Sequence, residues 1–185
     1  MYPARQGERK AESVFLDHFV SPAFDQFDAV HRSYATTFGV FRKVLSETPD
    51  FDDACNTIAW TAREQILDQA DFRTKLYHLT VPVTNTSTGR ADLVAESLEN
   101  FVGGIREYLV VNSFNLDHPG AMYNNQRWTS HVVARLRNLR EDPDLDDDDR
   151  SYVAIASLDA AVAEMQFMYS QVCGAYYTLK GQLVR

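Results

Sequence analysis

The run "SPAFDQFDAVHRSYATTFGVFRKVLSETPD", residues 21–50, decides the fold class. Phe24, Phe27, Val30, Tyr34, Phe38, Phe41 and Leu45 recur at steps of three and four, the spacing that aligns side chains on one face of an α-helix. The stripe persists for about six turns. Ser21 has the chemistry of an N-cap, Pro22 suits the first helical position, and Asp25 and Asp28 oppose the positive end of the helix dipole. Pro49 cannot continue the helix and closes it. A helix this long with one apolar face must bury that face against other helices.

Those helices follow along the chain. A second begins around Asp50 to Asp53 and runs to about Ala70, with a narrower stripe of Ala54, Ile58, Ala62, Ile66 and Ala70 that suits close approach to a neighbour. From 72 to 83, "FRTKLYHLTVPV", the pattern turns toward alternation and β-branched residues enter, which predicts a short strand or extended crossing segment. A third helix spans roughly Ala91 to Val111, with Val94, Leu98, Phe101, Ile105 and Leu109 forward. Gly103 and Gly104 cost it about 1–2 kcal/mol in propensity, so a kink or a close backbone contact is expected there. A fourth helix runs from about Tyr123 to Arg140 around Trp128, Val132, Leu136 and Leu139. The last opens after the aspartates and carries Ile155, Leu158, Val162, Met165, Met168, Val172, Tyr176 and Leu179.

The expected fold is therefore all-α: an antiparallel four-helix bundle core with an additional helix and a short strand near 72–83. It forms a single helical domain over 1–185, with 1–20 as an N-terminal arm and short helix and 141–149 as an acidic loop. A chain of 185 residues, 45% of them hydrophobic, suits one compact core. Residues 141–149 hold seven carboxylates, so of the net charge of −8 only −1 belongs to the rest of the chain. The acidity is local, which excludes a uniformly basic nucleic-acid binder but not a protein with one basic face.

Cys55 and Cys173 show no zinc or disulfide spacing and read as reduced, buried residues. No uncharged apolar run reaches membrane-spanning length, and "MYPARQGERK" lacks the apolar core of a signal peptide, so a cytoplasmic location is expected. Catalytic signatures are missing. A bundle binding two metals supplies paired Glu-x-x-His motifs, whereas Asp28-Ala-Val-His31 is the nearest approach and stands alone. There is no Gly-x-Ser-x-Gly elbow, and "FVGGIRE" lacks the spacing of a phosphate loop. No catalytic residue, resident metal or cofactor is expected, and the chain reads as a non-enzyme.

Two charged features stand out. Arg127, His131 and Arg135 step by four along the fourth helix, Arg137 and Arg140 extend the charge, and Trp128 offers a stacking surface. Such a stripe either follows a phosphate backbone or forms a solvated face paired with neighbouring acids. Immediately after it comes the acidic run. Aspartates before a helix supply N-caps and favourable charge at its positive end, but Asp146, Asp147, Asp148 and Asp149 are more than capping needs. The surplus points to a solvated loop, a divalent cation without EF-hand spacing, or a surface that meets a basic partner.

Several strings resemble the coat proteins of rod-shaped plant RNA viruses, the tobacco mosaic virus type. "SVFL" at 13–16 precedes a helix with an early proline, and "DFRTKLY" at 71–77 is similar to the family's short strand. "LVAESLENFVGGIREYLVVN" at 93–112 resembles its right radial helix, and "DDRSYVAIASLDAAVAE" at 148–164 its left radial helix. The departures are specific. Of the right radial helix's arginine cluster only Arg106 is matched, the Phe-Glu after the last helix is absent from "YYTLKGQLVR", and the 123–140 helix replaces a loop.

The resemblance implies a self-assembling capsid subunit that encloses single-stranded RNA in a helical virion, located in the virion and the host cytoplasm. Arg106, Arg150 or the stripe of Arg127, Arg135, Arg137 and Arg140 would contact RNA, with Trp128 stacking. Asp146 to Asp149 would sit at subunit contacts, where repulsion makes assembly sensitive to pH and divalent cations. The rival expectation is a helical adaptor that recruits a basic partner through its acidic loop.

Overall fold

The computed structural model describes residues 12–61, 91–111 and 129–184, all helices and short connections; among them there is no strand. The extended segment expected at 72–83 lies outside the described residues, as do 1–11, the second helix beyond residue 61 and residues 123–128 of the fourth. We label the helices α1 (Ser21–Glu47, preceded without a break by helical residues 12–20), α2 (51–61), α3 (Ala91–Val111), α4 (Thr129–Glu141) and α5 (Asp147–Val184). α5, at 38 residues, is about 57 Å long.

α1 corrects one expectation. Ser21 is no N-cap: it has helical angles (φ −64°, ψ −43°), and its N–H bonds back to the carbonyl of Leu16, closing a π-helical turn over Leu16–Val20. Pro22 supplies the physical reason. It has no N–H to give the carbonyl four residues earlier, and its ring crowds that carbonyl. One wider turn ahead of the proline lets the helix continue instead of starting there. The expected separate short helix within 1–20 is thus the opening of α1's own helical run. At its other end α1 stops at Glu47, before Pro49. Asp50 then caps α2, its Oδ1 accepting the N–H of Asp53 at 2.9 Å.

The chain groups into two compact units. The first holds residues 12–31, 91–108 and 167–184 of the described chain. Val20, Ala23, Phe27 and Val30 of α1, Val94, Phe101 and Ile105 of α3, and Val172, Tyr176 and Leu179 of α5 are buried in it. Phe24, at the edge, stacks on Tyr176 with ring centroids 4.0 Å apart. α3 continues without a break through its glycine pair. Only Gly104 is a close approach: a Cβ there would stand 3.0 Å from Val172 Cγ2, while one on Gly103 would meet nothing.

The second unit holds 32–61, 109–111 and 129–166 of the described chain. Tyr34, Phe38, Phe41 and Leu45 of α1, Phe51, Ala54 and Ile58 of α2, Leu136 and Leu139 of α4, and Leu158 and Met165 of α5 are buried there. α5 corrects a second expectation. Ala154 and Ala161 are buried, whereas Ile155 and Val162 are only half-buried. Leu158 and Met165 are seven residues apart, and the alanines precede each by four, so they share its face. The branched residues lie one position, about 100°, away. The acidic loop is also shorter than 141–149: it spans 142–146, and Asp147, Asp148 and Asp149 form the first turn of α5.

Candidate nucleic-acid and subunit-contact surfaces

The α4–α5 junction in the second unit is built by its own carboxylates. Asp142 Oδ1 accepts the N–H of Asp144 at 2.9 Å, turning the chain at Pro143. Asp146 is the N-cap of α5: its Oδ1 accepts the N–H of Asp149 at 2.8 Å, and its carbonyl accepts that of Arg150 at 3.0 Å. Arg150 reaches back over the loop. Its Nη1 meets Asp147 Oδ1 at 3.2 Å and its Nη2 donates to the Asp142 carbonyl at 2.6 Å.

Asp142, Asp146, Asp147 and Arg150 are therefore engaged in holding the junction. Glu141, Asp144, Asp148 and Asp149 are exposed, and their carboxylates have no partner among the described residues. No three His, Cys, Asp or Glu side chains gather among the described residues in a way that could hold a metal ion.

The arginines of α4 do not form one face. Leu136 and Leu139 mark its buried side, and Arg135 and Arg140, five positions apart, flank that side about 140° from each other. Arg140 Nε meets Asp52 Oδ1 of α2 at 2.6 Å, an exposed pair that pins α4 to α2. Arg135 and Arg137 are exposed and without a partner among the described residues. Arg106 is exposed on α3, in the first unit. Arg127 and Trp128 lie outside the described residues, and the side chain of His131 is likewise not described.

The first unit contains a polar cluster that the sequence hinted at only through Asp28-Ala-Val-His31. His31, 6% exposed, shares a 2.8 Å hydrogen bond between its Nδ1 and Tyr108 Oη of α3. Its ring stacks on Tyr169 of α5 with centroids 3.8 Å apart and planes 10° from parallel. Tyr169 Oη in turn donates to Asp28 Oδ1 at 2.6 Å. Burial pushes the His31 pKa below its ordinary 6.5, an effect Asp28's charge partly opposes. The bond to Asp28 and burial push the Tyr169 phenol upward. Both residues of the apparent metal motif are thus held by tyrosines from other helices.

The outward face of α5 within the first unit is unusual in a different way. Phe167, Ser170, Gly174, Tyr177, Gly181 and Val184 are all exposed, Phe167 and Tyr177 by more than 60%. At about 100° per residue they fall in one arc of roughly 100° that carries no charge over five turns. Solvent-facing helix surfaces ordinarily carry charged and polar residues.

No family model, curated protein or solved structure matches the chain. No described helix is long and apolar enough to cross a membrane.

Proposed function

We propose that the chain is a non-enzymatic, self-assembling structural subunit, a viral coat protein that forms a helical virion around single-stranded RNA. The observation that carries this reading is the uncharged, aromatic-bearing outer arc of α5. Apolar exposure arranged along one helix face marks a surface made to be covered, and in a homopolymer the cover is the next copy. An antiparallel four-helix bundle core is the arrangement that would present this side face to a neighbour.

Arg135 and Arg137 supply exposed guanidinium groups to neutralise phosphates. Of the four aspartates expected at subunit contacts, Asp148 and Asp149 keep carboxylates available for contacts between copies. There they repel until protonation or a divalent cation relieves them, so lower pH favours the polymer. The same surplus acid also fits an adaptor that recruits a basic partner, and that reading predicts a discrete monomer or dimer free of nucleic acid.

Negative-stain microscopy of purified protein, with sedimentation across pH and the 260/280 nm absorbance ratio, distinguishes the two. Rods or discs that grow as pH falls and carry nucleic acid are expected. A species of constant size across that range, free of nucleic acid, would refute the coat reading.

A further inference from the structure

In the first unit the exposed side of α5 has a finer pattern than its lack of charge. Phe167, Ser170, Gly174, Tyr177, Gly181 and Val184 follow one another at steps of 3, 4, 3, 4 and 3. That alternation has a period of 3.5 residues, the spacing with which one helix offers a continuous seam to a second. Val172, Tyr176 and Leu179 are buried on the opposite side, so the helix already has its own core and the seam is additional to it.

The glycines of the seam have no reason inside the subunit. A Cβ on Gly174 or Gly181 would meet nothing within 4 Å, in contrast to Gly104, whose missing side chain makes room for Val172. Glycine is the poorest helix former after proline, and here two stand seven residues apart on one exposed face. Between and beyond them Phe167, Tyr177 and Val184 are 62%, 61% and 68% exposed. Large side chains without cover thus alternate with hollows that the subunit leaves unfilled.

A second α5 fits this surface in one direction. In a parallel pairing every residue meets its own counterpart, so Tyr177 meets Tyr177 while the glycines face each other across empty layers. In an antiparallel pairing, about a two-fold axis level with residues 175 and 176, Tyr177 enters the hollow at Gly174 of the second copy. Ser170 then lies opposite Gly181 of that copy, and Phe167 opposite its Val184. Facing large with small is how packed layers interdigitate. The flanks offer no carboxylate: Gln171 and Thr178 stand on one side, Cys173 and Lys180 on the other. The two Lys180 side chains are offset by nine residues, about 13 Å along the axis, beyond the screening length of about 8 Å at physiological salt.

We infer that α5 pairs along this seam with α5 of a second copy, as an antiparallel two-stranded coiled coil with Tyr177 seated at Gly174 of the other chain. This rests on the reading of the arc as a contact between copies; it names the segment that covers the arc and makes a two-fold dimer the unit from which the polymer grows. An enclosed aromatic side chain buries about 150–250 Å², so the exposed parts of the three large residues supply on the order of 300–400 Å² per copy. The total falls short of the roughly 1,200 Å² of a permanent interface, so the pairing is reversible and depends on concentration.

Sedimentation of the full chain at about pH 8, where the proposed polymer is disfavoured, is expected to show a monomer–dimer equilibrium between about 1 and 100 µM. Gly174→Leu fills the hollow at a position open to solvent and should weaken the dimer about tenfold, with helix content and thermal stability of the monomer retained. Direction is read by disulfide trapping in a Cys173→Ser background, where the remaining Cys55 is buried. Ser170→Cys and Gly181→Cys chains should link to each other when mixed. Neither should link to itself, because like positions lie eleven residues, about 16 Å, apart along the axis.

Self-linking of either variant, no linking of the mixture, a Gly174→Leu chain that associates as tightly as the unaltered one, or any state other than monomer–dimer at that pH overturns the pairing. Rods carrying nucleic acid at lower pH would then leave the coat reading standing. Dimers that link as expected but never lengthen or carry nucleic acid overturn the coat reading and support the pairing.

Discussion

Replacing Tyr108 by Phe isolates one atom of the buried cluster in the first unit. The ring is kept, and with it the edge-on contact to Phe27 at 4.9 Å between centroids. The hydroxyl that shares a 2.8 Å bond with His31 Nδ1 is lost. With His31 only 6% exposed, water has little access to replace the missing partner. The expected cost is that of leaving a buried polar atom unsatisfied, about 1–3 kcal/mol. For a chain of this size each kcal/mol moves Tm by about 2–4 °C, so a 2 kcal/mol loss lowers it by about 4–8 °C.

Urea unfolding followed by circular dichroism at about pH 8, where the imidazole is neutral, measures the effect. Tyr152→Phe serves as the control, since Tyr152 is 75% exposed and its change should stay within about 0.5 kcal/mol. If Tyr108→Phe is equally silent, the bond to His31 is not holding the first unit together and the account of the cluster fails.

The same cluster sets a pH dependence. His31 is held neutral below its ordinary pKa, so as pH falls below about 6.5 the unfolded chain binds a proton the folded one refuses. Its contribution to stability is therefore complete above about 6.5 and shrinks as pH falls; His31→Phe should flatten the urea midpoint across that window, and an unchanged slope would contradict the assignment. Arg150→Met cuts the bond to the Asp142 carbonyl and the half-exposed pair with Asp147, for an expected loss of about 1–2 kcal/mol; amide hydrogen exchange should quicken in 142–149, and protection equal to the native chain's would show that the loop holds without it. Gly103→Ala should stabilise by about 0.5–1 kcal/mol because its Cβ meets open space, whereas Gly104→Ala must displace the buried Val172 and should gain nothing. Equal thermal shifts for the two would rule out the close approach of α3 to α5.

Much of the helical plan was legible because periodicity is local information. The steps of three and four from Phe27 to Leu45, the stop at Pro49, the start of α2 around Asp50 and the bounds of α3 all follow from a residue and its near neighbours. α5's register was harder. Ile155 and Val162 are the more hydrophobic choices, yet Ala154 and Ala161 are buried, because a helix face is selected by what it packs against and not by side-chain hydrophobicity alone. Ser21 and Pro22 misled for a related reason: the same pair that starts a helix in isolation can be carried inside one when a π-helical turn absorbs the missing N–H.

For the candidate surfaces, the sequence by itself determined that basic and acidic runs adjoin at α4 and α5, and that the acids exceed what capping requires. Only the tertiary structure decided which charges are spent. It gives Asp146 to the cap, Arg150 to the loop and Arg140 to Asp52, leaving Arg135, Arg137, Asp148 and Asp149 uncommitted. It likewise joins Asp28 and His31 to Tyr108 and Tyr169, partners 77 and 141 positions away in their respective hydrogen bonds. Ion pairs and hydrogen bonds depend on distances of about 3 Å, and across such separations only the packing of helices determines those distances.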